Sequence, residues 1–314
     1  MDVETTSMSA TEADAPRPNG LHLLDVIIVS ANGGRELLRT CLTSLEASPP
    51  SLASMRVHVV DNGSTDGTVE MVHRNFPWVE CEALGRNAGF AAANNRAISR
   101  TNGDLVLLLN PDTEVLGGAL DRCIDLMDQH ADAGVIGCRL VRPDGTFDHA
   151  AKRSFPTMTG AIGHFVGVGR KLSRGPLAQY RAPGVDELQS SPVDAVNGAF
   201  MLVRRAAITE VGLLDEAYWM YAEDLDWCYR FHQKGWAVWY EGSATVVHVK
   251  GALSKVGHHR PLRSNYAFHR AMGRFYRKHL SGDHPLLDAC VYVAIGAKFL
   301  LSATRSSIIR RAIR

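Results

Sequence analysis

The chain of 314 residues has six cysteines (Cys41, Cys81, Cys123, Cys138, Cys228 and Cys290) but no C-x-x-C pair. That scatter argues against a disulfide scaffold or a structural zinc cluster and fits a reducing, cytosolic setting. Aromatic residues are only 7% of the total and are too thinly interleaved with the basic residues to form a nucleic-acid stacking platform. Internal repeats and low-complexity tracts are absent, and no glycine-rich, lysine-containing phosphate loop stands near the N-terminus. Met1 to Gly20 has neither a basic start nor an apolar core, so it reads as a disordered tail rather than a secretory signal or a spanning helix. What remains, with 46% hydrophobic and 21% charged residues, is an ordinary globular composition.

The net charge of +1 hides an asymmetry. After Glu241 there are thirteen Lys or Arg residues against Asp283 and Asp288, a local surplus of +11. Such a surplus points to an anion as partner, whether phosphate, an acidic lipid surface or nucleic acid, or to a solvated basic face.

From Asp25 onward, short aliphatic runs alternate with amphipathic segments, the pattern of a mainly parallel sheet covered by helices. Strands are expected at Val26–Val29, Val57–Val60, Val79–Ala83 and Leu105–Leu109, with helices near Arg35–Ala47, Thr68–Arg74 and Phe90–Arg100. Leu105–Leu109 is apolar at every position and so belongs at the sheet centre, buried on both faces. Thr146–Val193, rich in Gly and Pro, reads as a long, partly mobile connection, a lid or acceptor loop. Beyond it a strand is expected over Ala195–Val203, a helix over Glu223–Lys234 and two β runs at Ala237–Tyr240 and Thr245–Val249.

Ligands of open α/β sheets sit outside the carboxyl ends of the strands, which directs attention to Ser30–Gly34, Asp61–Gly67 and Asn110–Glu114. Asp61 is placed to accept a base N–H; Gly63 and Gly67 serve the turn, and Asp66 has a plain reading as a helix cap. The loop is no calcium site, because Gly63 and Thr65 stand where carboxylates are needed. Asp112, directly after the buried strand, is a candidate ligand for a divalent cation on a diphosphate, or a simple turn residue. Glu223 and Asp224 open a helix, where the dipole alone favours acidic residues. With Trp219, Met220 and Tyr221 just before them, they also suit a sugar ring and the deprotonation of its hydroxyl. His248 completes a metal site if it folds near Asp112. Lys255, Arg260, Arg263, Arg270, Arg274, Arg277 and Lys278 suit phosphate groups.

These motifs together resemble the inverting glycosyltransferases of family 2, in particular their rhamnosyltransferase-like branch, from about Asp25 to Leu280. The resemblance is carried by VIIVSAN (Val26–Asn32), VVDNGSTDG (Val59–Gly67), RNAGFAAANN (Arg86–Asn95) and LLLNPDTEV (Leu107–Val115). It continues through VNGAFMLVRR (Val196–Arg205), VGLLDEAYWMYAEDLDWCYR (Val211–Arg230) and VVHVKG (Val246–Gly251). It implies a GT-A fold, a Rossmann-like α/β sheet with helices on both faces. The implied division is a disordered tail (1–22), a transferase domain (23–280, nucleotide-binding to 145 and acceptor-binding or catalytic from 146) and a basic amphipathic C-terminal helix (281–314).

By the same resemblance, Asp61 and Asn62 lie near the base of a nucleotide-sugar donor, with Ser30, Asn32, Arg86, Asn87 and Gly89 around the nucleoside. Asn110 and Asp112 occupy the family's Asp-x-Asp region. Because Asn110 replaces the first carboxylate, Asp112 with His248 would hold Mg2+ or Mn2+. Asp224 would be the catalytic base, Trp219, Glu223 and Arg263 would meet the acceptor, and Gly198 would leave room beside the donor sugar. Ala31 departs from the family, which commonly has an aromatic residue there, so dTDP and UDP donors both stay open. Rhamnose is the expected sugar and galactofuranose the alternative; a sugar nucleotidyltransferase and an inactive scaffold are the readings from other classes.

The apolar stretches Ala289–Ala297 and Phe299–Leu301, interrupted by Lys298 and followed by Arg305, Arg310, Arg311 and Arg314, fit an interfacial helix on an acidic cytoplasmic leaflet, or a helix packed on the protein itself. The first placement suits a polyprenyl-diphosphate-linked acceptor and a site of action at the inner face of the plasma membrane.

Overall fold

The computed structural model describes residues 20–156, 184, 186–249, 262–282 and 284–312. The expected tail therefore falls almost wholly outside the described residues, as do 157–183 of the long connection and Lys250, Gly251, Lys255 and Arg260.

The chain begins with β1 (His22–Ser30), α1 (Arg35–Ala47), β2 (Ala53–Asp61), α2 (Thr68–Asn75), β3 (Glu80–Ala83), α3 (Phe90–Ile98) and β4 (Leu105–Leu109). Then come β5 (Thr113–Val115), α4 (Ala119–Gln129), β6 (Ala133–Val141), β7 (Lys152–Arg153), β8 (Ser191–Pro192), β9 (Ala195–Val196) and β10 (Phe200–Arg204). The last elements are α5 (Arg205–Val211), α6 (Glu223–Gln233), β11 (Ala237–His248), α7 (Leu262–His279) and α8 (Pro285–Ala312). A nine-stranded sheet runs β3-β2-β1-β4-β10-β6-β11-β5, with β8 on β11. Parallel pairing joins β3, β2, β1 and β4, and joins β6 to β11, whereas β10 is antiparallel to both of its neighbours.

β4 is buried at all five positions, as its unbroken LVLLL requires between β1 and β10. α1 turns Leu38, Cys41, Leu42 and Leu45 inward, the spacing of one helical face, and each buried leucine contributes about 2 kcal/mol. At the amino ends of the strands, wholly buried Asp25 binds the Arg56 guanidinium at 2.6 Å and accepts the Gly103 amide at 2.6 Å, tying β1 to β2 and to the entry of β4.

Two expected elements differ in ways that shape the site. The run Ala195–Val203 is not one strand: it breaks at Asn197–Ala199, where the Asn197 side chain accepts the Ala199 amide and its carbonyl accepts the Phe200 amide. The runs at Ala237–Tyr240 and Thr245–Val249 are one strand, kept in register with β6 by a bulge between Glu241 and Thr245. The described start of the Thr146–Val193 connection is also not loose. Asp148, Ala151, Lys152 and Arg153 are buried, and β7 pairs with β9.

Candidate active site

Strand register assembles the site. Ser30 stands opposite Asp61 at the carboxyl ends of β1 and β2, and Ile28 stands opposite Leu109, so the three loops named from sequence leave the sheet side by side. The Asn32 carboxamide oxygen accepts the Thr65 amide at 2.8 Å, and Asp66 accepts the Gly33 amide at 2.7 Å, which locks the first loop to the second. Asn62 reaches a further loop, between β3 and α3, accepting the Ala88 amide at 2.7 Å and donating to the Gly89 carbonyl at 3.2 Å. Asp66 is thus a brace between loops rather than the expected helix cap, because the N-cap of α2 is Gly67. Ser30 Oγ and Asp61 Oδ1 are buried without a hydrogen-bond partner, the condition of groups prepared for a ligand. Arg86 and Asn87 are exposed on that β3–α3 loop.

Gly89 is there for conformation and space. Its φ is +97°, and a Cβ would fall 2.7 Å from the Trp219 indole, while the Trp219 carbonyl accepts the Phe90 amide at 3.0 Å. The Trp219 loop is therefore pinned to the β3–α3 loop. Arg263, from the start of α7, stacks its guanidinium on the same indole at 4.4 Å, which brings two of the three expected acceptor residues into contact. Two of the basic residues expected to face phosphate do something else. Arg274 and Lys278 bind Asp215 at 3.0 and 2.8 Å, and Lys278 also binds buried Asp226, because α7 packs against α6 and the adjoining loop.

His248 is carried to Asp112 by the pairing of β11 with β5, in which His248 stands opposite Thr113. Its Nε2 lies 3.3 Å from Asp112 Oδ1, and both side chains are buried. Behind the ring, Nδ1 has no hydrogen-bond partner and lies 3.9 Å from Asp148 Oδ2. Among the described residues no group of three or more His, Cys, Asp or Glu side chains is gathered as a complete metal cage.

Glu223 and Asp224 follow Tyr221 (φ +73°) and Ala222 (φ +63°), two non-glycine residues in the left-handed region. Such conformations cost roughly 1–3 kcal/mol each and gather at functional sites. Asp224 Oδ2 accepts Arg153 Nη2 at 2.7 Å and the Gly198 amide at 2.9 Å, and Oδ1 accepts the Leu225 amide at 2.7 Å. Gly198 thus serves Asp224 directly: a Cβ there would stand 3.3 Å from the Asp224 Cβ. Glu223 has the opposite surroundings. Its Oε2 is buried without a partner, and burial, reinforced by the charge of Asp224, pushes its carboxyl up to about 8. The Asn197–Ala199 turn links this pair to the Asp112 loop, since the Gly198 amide holds Asp224 while the Ala199 carbonyl accepts the Asn110 amide at 3.0 Å.

The glycosyl transferase family 2 profile matches residues 25–208, more than half of the chain. The chain belongs to glycosyl transferase family 2. It is 34% identical over 243 residues to the N-acetylglucosaminyl-diphospho-decaprenol L-rhamnosyltransferase of Mycobacterium tuberculosis, covering 73% of this chain and 76% of that one. Its fold is similar to that of the mannosyltransferase PcManGT of Pyrobaculum calidifontis in complex with GDP-Man and Mn2+ (TM-score 0.56, 15% identity, 95% of this chain and 81% of that one). It is also similar to TarS of S. aureus (TM-score 0.55, 18% identity, 88% of this chain and 43% of that one). The protein is a glycosyltransferase of GT-A fold, rhamnosyltransferase-like in sequence.

Asp148 and Arg153 belong to none of the sequence motifs. Both lie in the stretch Thr146–Val193, where Gly and Pro obscure any periodicity, and only the adjoining basic pair Lys152-Arg153 hints at β7.

Proposed function

We propose that the enzyme transfers rhamnose, with inversion, from a dTDP- or UDP-linked donor to a hydroxyl of a polyprenyl-diphosphate-linked N-acetylglucosamine. The observation that carries this reading is the Asn197–Ala199 turn, which links the loop of Asp112 to the carboxylate of Asp224 through adjoining residues. In this reading the same short turn joins the leaving-group side of the site to the base, an arrangement that supports a single displacement. The 34% identity to a rhamnosyltransferase with a lipid-linked acceptor supports the sugar and acceptor classes.

In this reading Ser30, Asn32, Asp61, Asn62, Arg86, Asn87 and Gly89 form the nucleoside cradle and Asn110 borders the diphosphate. Asp224 takes the acceptor proton as the oxygen attacks the anomeric carbon, and the nucleoside diphosphate leaves from the opposite face with its electron pair. Glu223, Trp219 and Arg263 orient the acceptor. Asp112 and His248 offer a carboxylate oxygen and an imidazole nitrogen 3.3 Å apart, a donor pair that would hold Mn2+ or Mg2+. That cation, when bound, offsets the charge that builds on the leaving diphosphate.

The chain divides, on this account, into a nucleotide-binding half (23–145), an acceptor half (146–280) and a C-terminal membrane element. α8 is apolar around much of its circumference: Val291 and Ile295 pack against α7, while Leu286, Val293, Leu300 and Leu301 are more than 60% exposed. Pro285–Thr304 is long and apolar enough to cross a membrane, and Arg305, Arg310, Arg311 and Arg314 follow it in sequence. An acidic leaflet at the cytoplasmic face satisfies both features, as a peripheral attachment.

Thermal-shift measurements with Mg2+ or Mn2+ across dTDP-rhamnose, UDP-galactofuranose, UDP-glucose, UDP-N-acetylglucosamine and GDP-mannose test the donor class. A metal-dependent shift with dTDP-rhamnose is expected. A shift confined to UDP-galactofuranose would move the sugar assignment, and none with any donor would return the inactive-scaffold reading.

A further inference from the structure

We infer that Arg153 is a positioning residue for sugar transfer: it clamps Asp224 against the Gly198 amide and thereby fixes which oxygen of the Glu223–Asp224 pair receives the acceptor proton. The inference rests on the transferase reading above and adds a residue that no motif marks. Arg153 comes from the two-residue strand β7, held by β9, and its Nη2 donates both to the Val196 carbonyl and to Asp224 Oδ2. Its side chain is 10% exposed and that of Asp224 12%. Two buried ions brought together in this way require a defined geometry to offset their desolvation, and removing one strands the other.

The clamp has a chemical consequence at the level of single oxygens. Oδ2 is taken up by two donors, the guanidinium and the Gly198 amide, whereas Oδ1 accepts, among the described residues, only the Leu225 amide. The carboxylate is thus presented through Oδ1, and the acceptor proton is assigned to that atom. As it moves there, the acceptor oxygen bonds to the anomeric carbon, the bond from that carbon to the diphosphate oxygen breaks, and the nucleoside diphosphate departs. Glu223, buried beside this fixed charge and without a partner for Oε2, is left as the protonated neighbour, able to donate to the acceptor. Arg153 itself meets neither substrate nor metal in this assignment; it acts through Asp224.

The test is steady-state kinetics of full-length Arg153→Lys and Arg153→Met, with calorimetric binding of dTDP and Mn2+ as a separate readout. The acceptor is a synthetic N-acetylglucosaminyl-diphospho-polyprenol and the donor dTDP-rhamnose. The expected result is a kcat roughly a hundredfold lower for Arg153→Met, nucleotide binding within twofold of the parent, and partial recovery in Arg153→Lys, which restores the charge but not the planar fork. If Arg153→Met does not fold, Arg153→Lys decides the matter by the same split. Parental kcat in a folded variant, or kcat and nucleotide affinity falling in proportion, would overturn the inference. An inactive parent protein would instead count against the transferase reading on which it rests.

Discussion

Glu223 and Asp224 are neighbours in sequence with unlike surroundings. Asp224 is met by a guanidinium and two amides, whereas Glu223 is buried beside a like charge. Asp224→Asn should lower kcat by roughly a hundredfold or more while leaving donor affinity within a few-fold, since it removes a base but no donor contact; kinetics alongside donor titration checks this. The raised Glu223 carboxyl also predicts a pH effect on stability. Between the ordinary glutamate value of 4.5 and about 8 the folded protein holds a proton that the unfolded chain releases, so folding stability falls as pH rises through that window. Glu223→Gln should remove this slope, and urea denaturation at pH 5 and pH 8.5 should show its gain over the parent widening at the higher pH. Asp112→Ala should weaken Mn2+ binding in the presence of dTDP at least tenfold, measured by calorimetry. Most of these residues are legible in sequence because each follows a strand or opens a helix within a recognisable block. Arg153 is not, because a two-residue strand has no periodicity and its partner Asp224 lies 71 positions away.

At the scale of elements, legibility follows pattern strength. α1 and β4 lie where their apolar spacing puts them. β6 is obscured by Gly134 and Gly137 within its run, and Gly137 is required because a Cβ would stand 2.5 Å from Val196. The break between β9 and β10 is invisible to hydropathy because Val196–Val203 is almost wholly apolar, yet it creates the turn that carries Gly198. α7 is joined to α6 by ion pairs: fully buried Asp226 accepts His279 Nε2 at 2.7 Å, Lys278 Nζ at 2.7 Å and Arg230 Nε at 2.9 Å. Burial works to raise the Asp226 carboxyl, but these donors outweigh it and hold it far below the usual range. The stability this contributes is present above the ordinary carboxylate value and is lost only as pH falls toward its lowered one. Asp226→Ala takes away an acceptor shared by His279, Lys278, Arg230 and the Tyr218 hydroxyl and should cost about 3–5 kcal/mol in urea denaturation at pH 7.

For the molecule as a whole, part of the basic surplus after Glu241 is structural, since Arg274 and Lys278 bind Asp215. The proposed membrane attachment assigns the arginines beyond Thr304, which follow the apolar segment Pro285–Thr304, to acidic lipid. The protein should co-sediment with vesicles containing acidic lipid, less so in high salt, and Val293→Glu with Leu300→Glu should reduce binding at least tenfold without altering nucleotide binding. The GT-A sheet is readable from seven sequence blocks, whereas the proposed junction of the Asp112–His248 pair with Asp224 depends on strand register over long separations. That junction is the central claim, and it is tested most directly by dTDP-rhamnose turnover on N-acetylglucosaminyl-diphospho-polyprenol with Mg2+ or Mn2+, parent beside Asp224→Asn. The account predicts saturable transfer by the parent and near-complete loss in a variant that still binds donor. Equal turnover by both proteins, or no donor consumption by the parent, would contradict it.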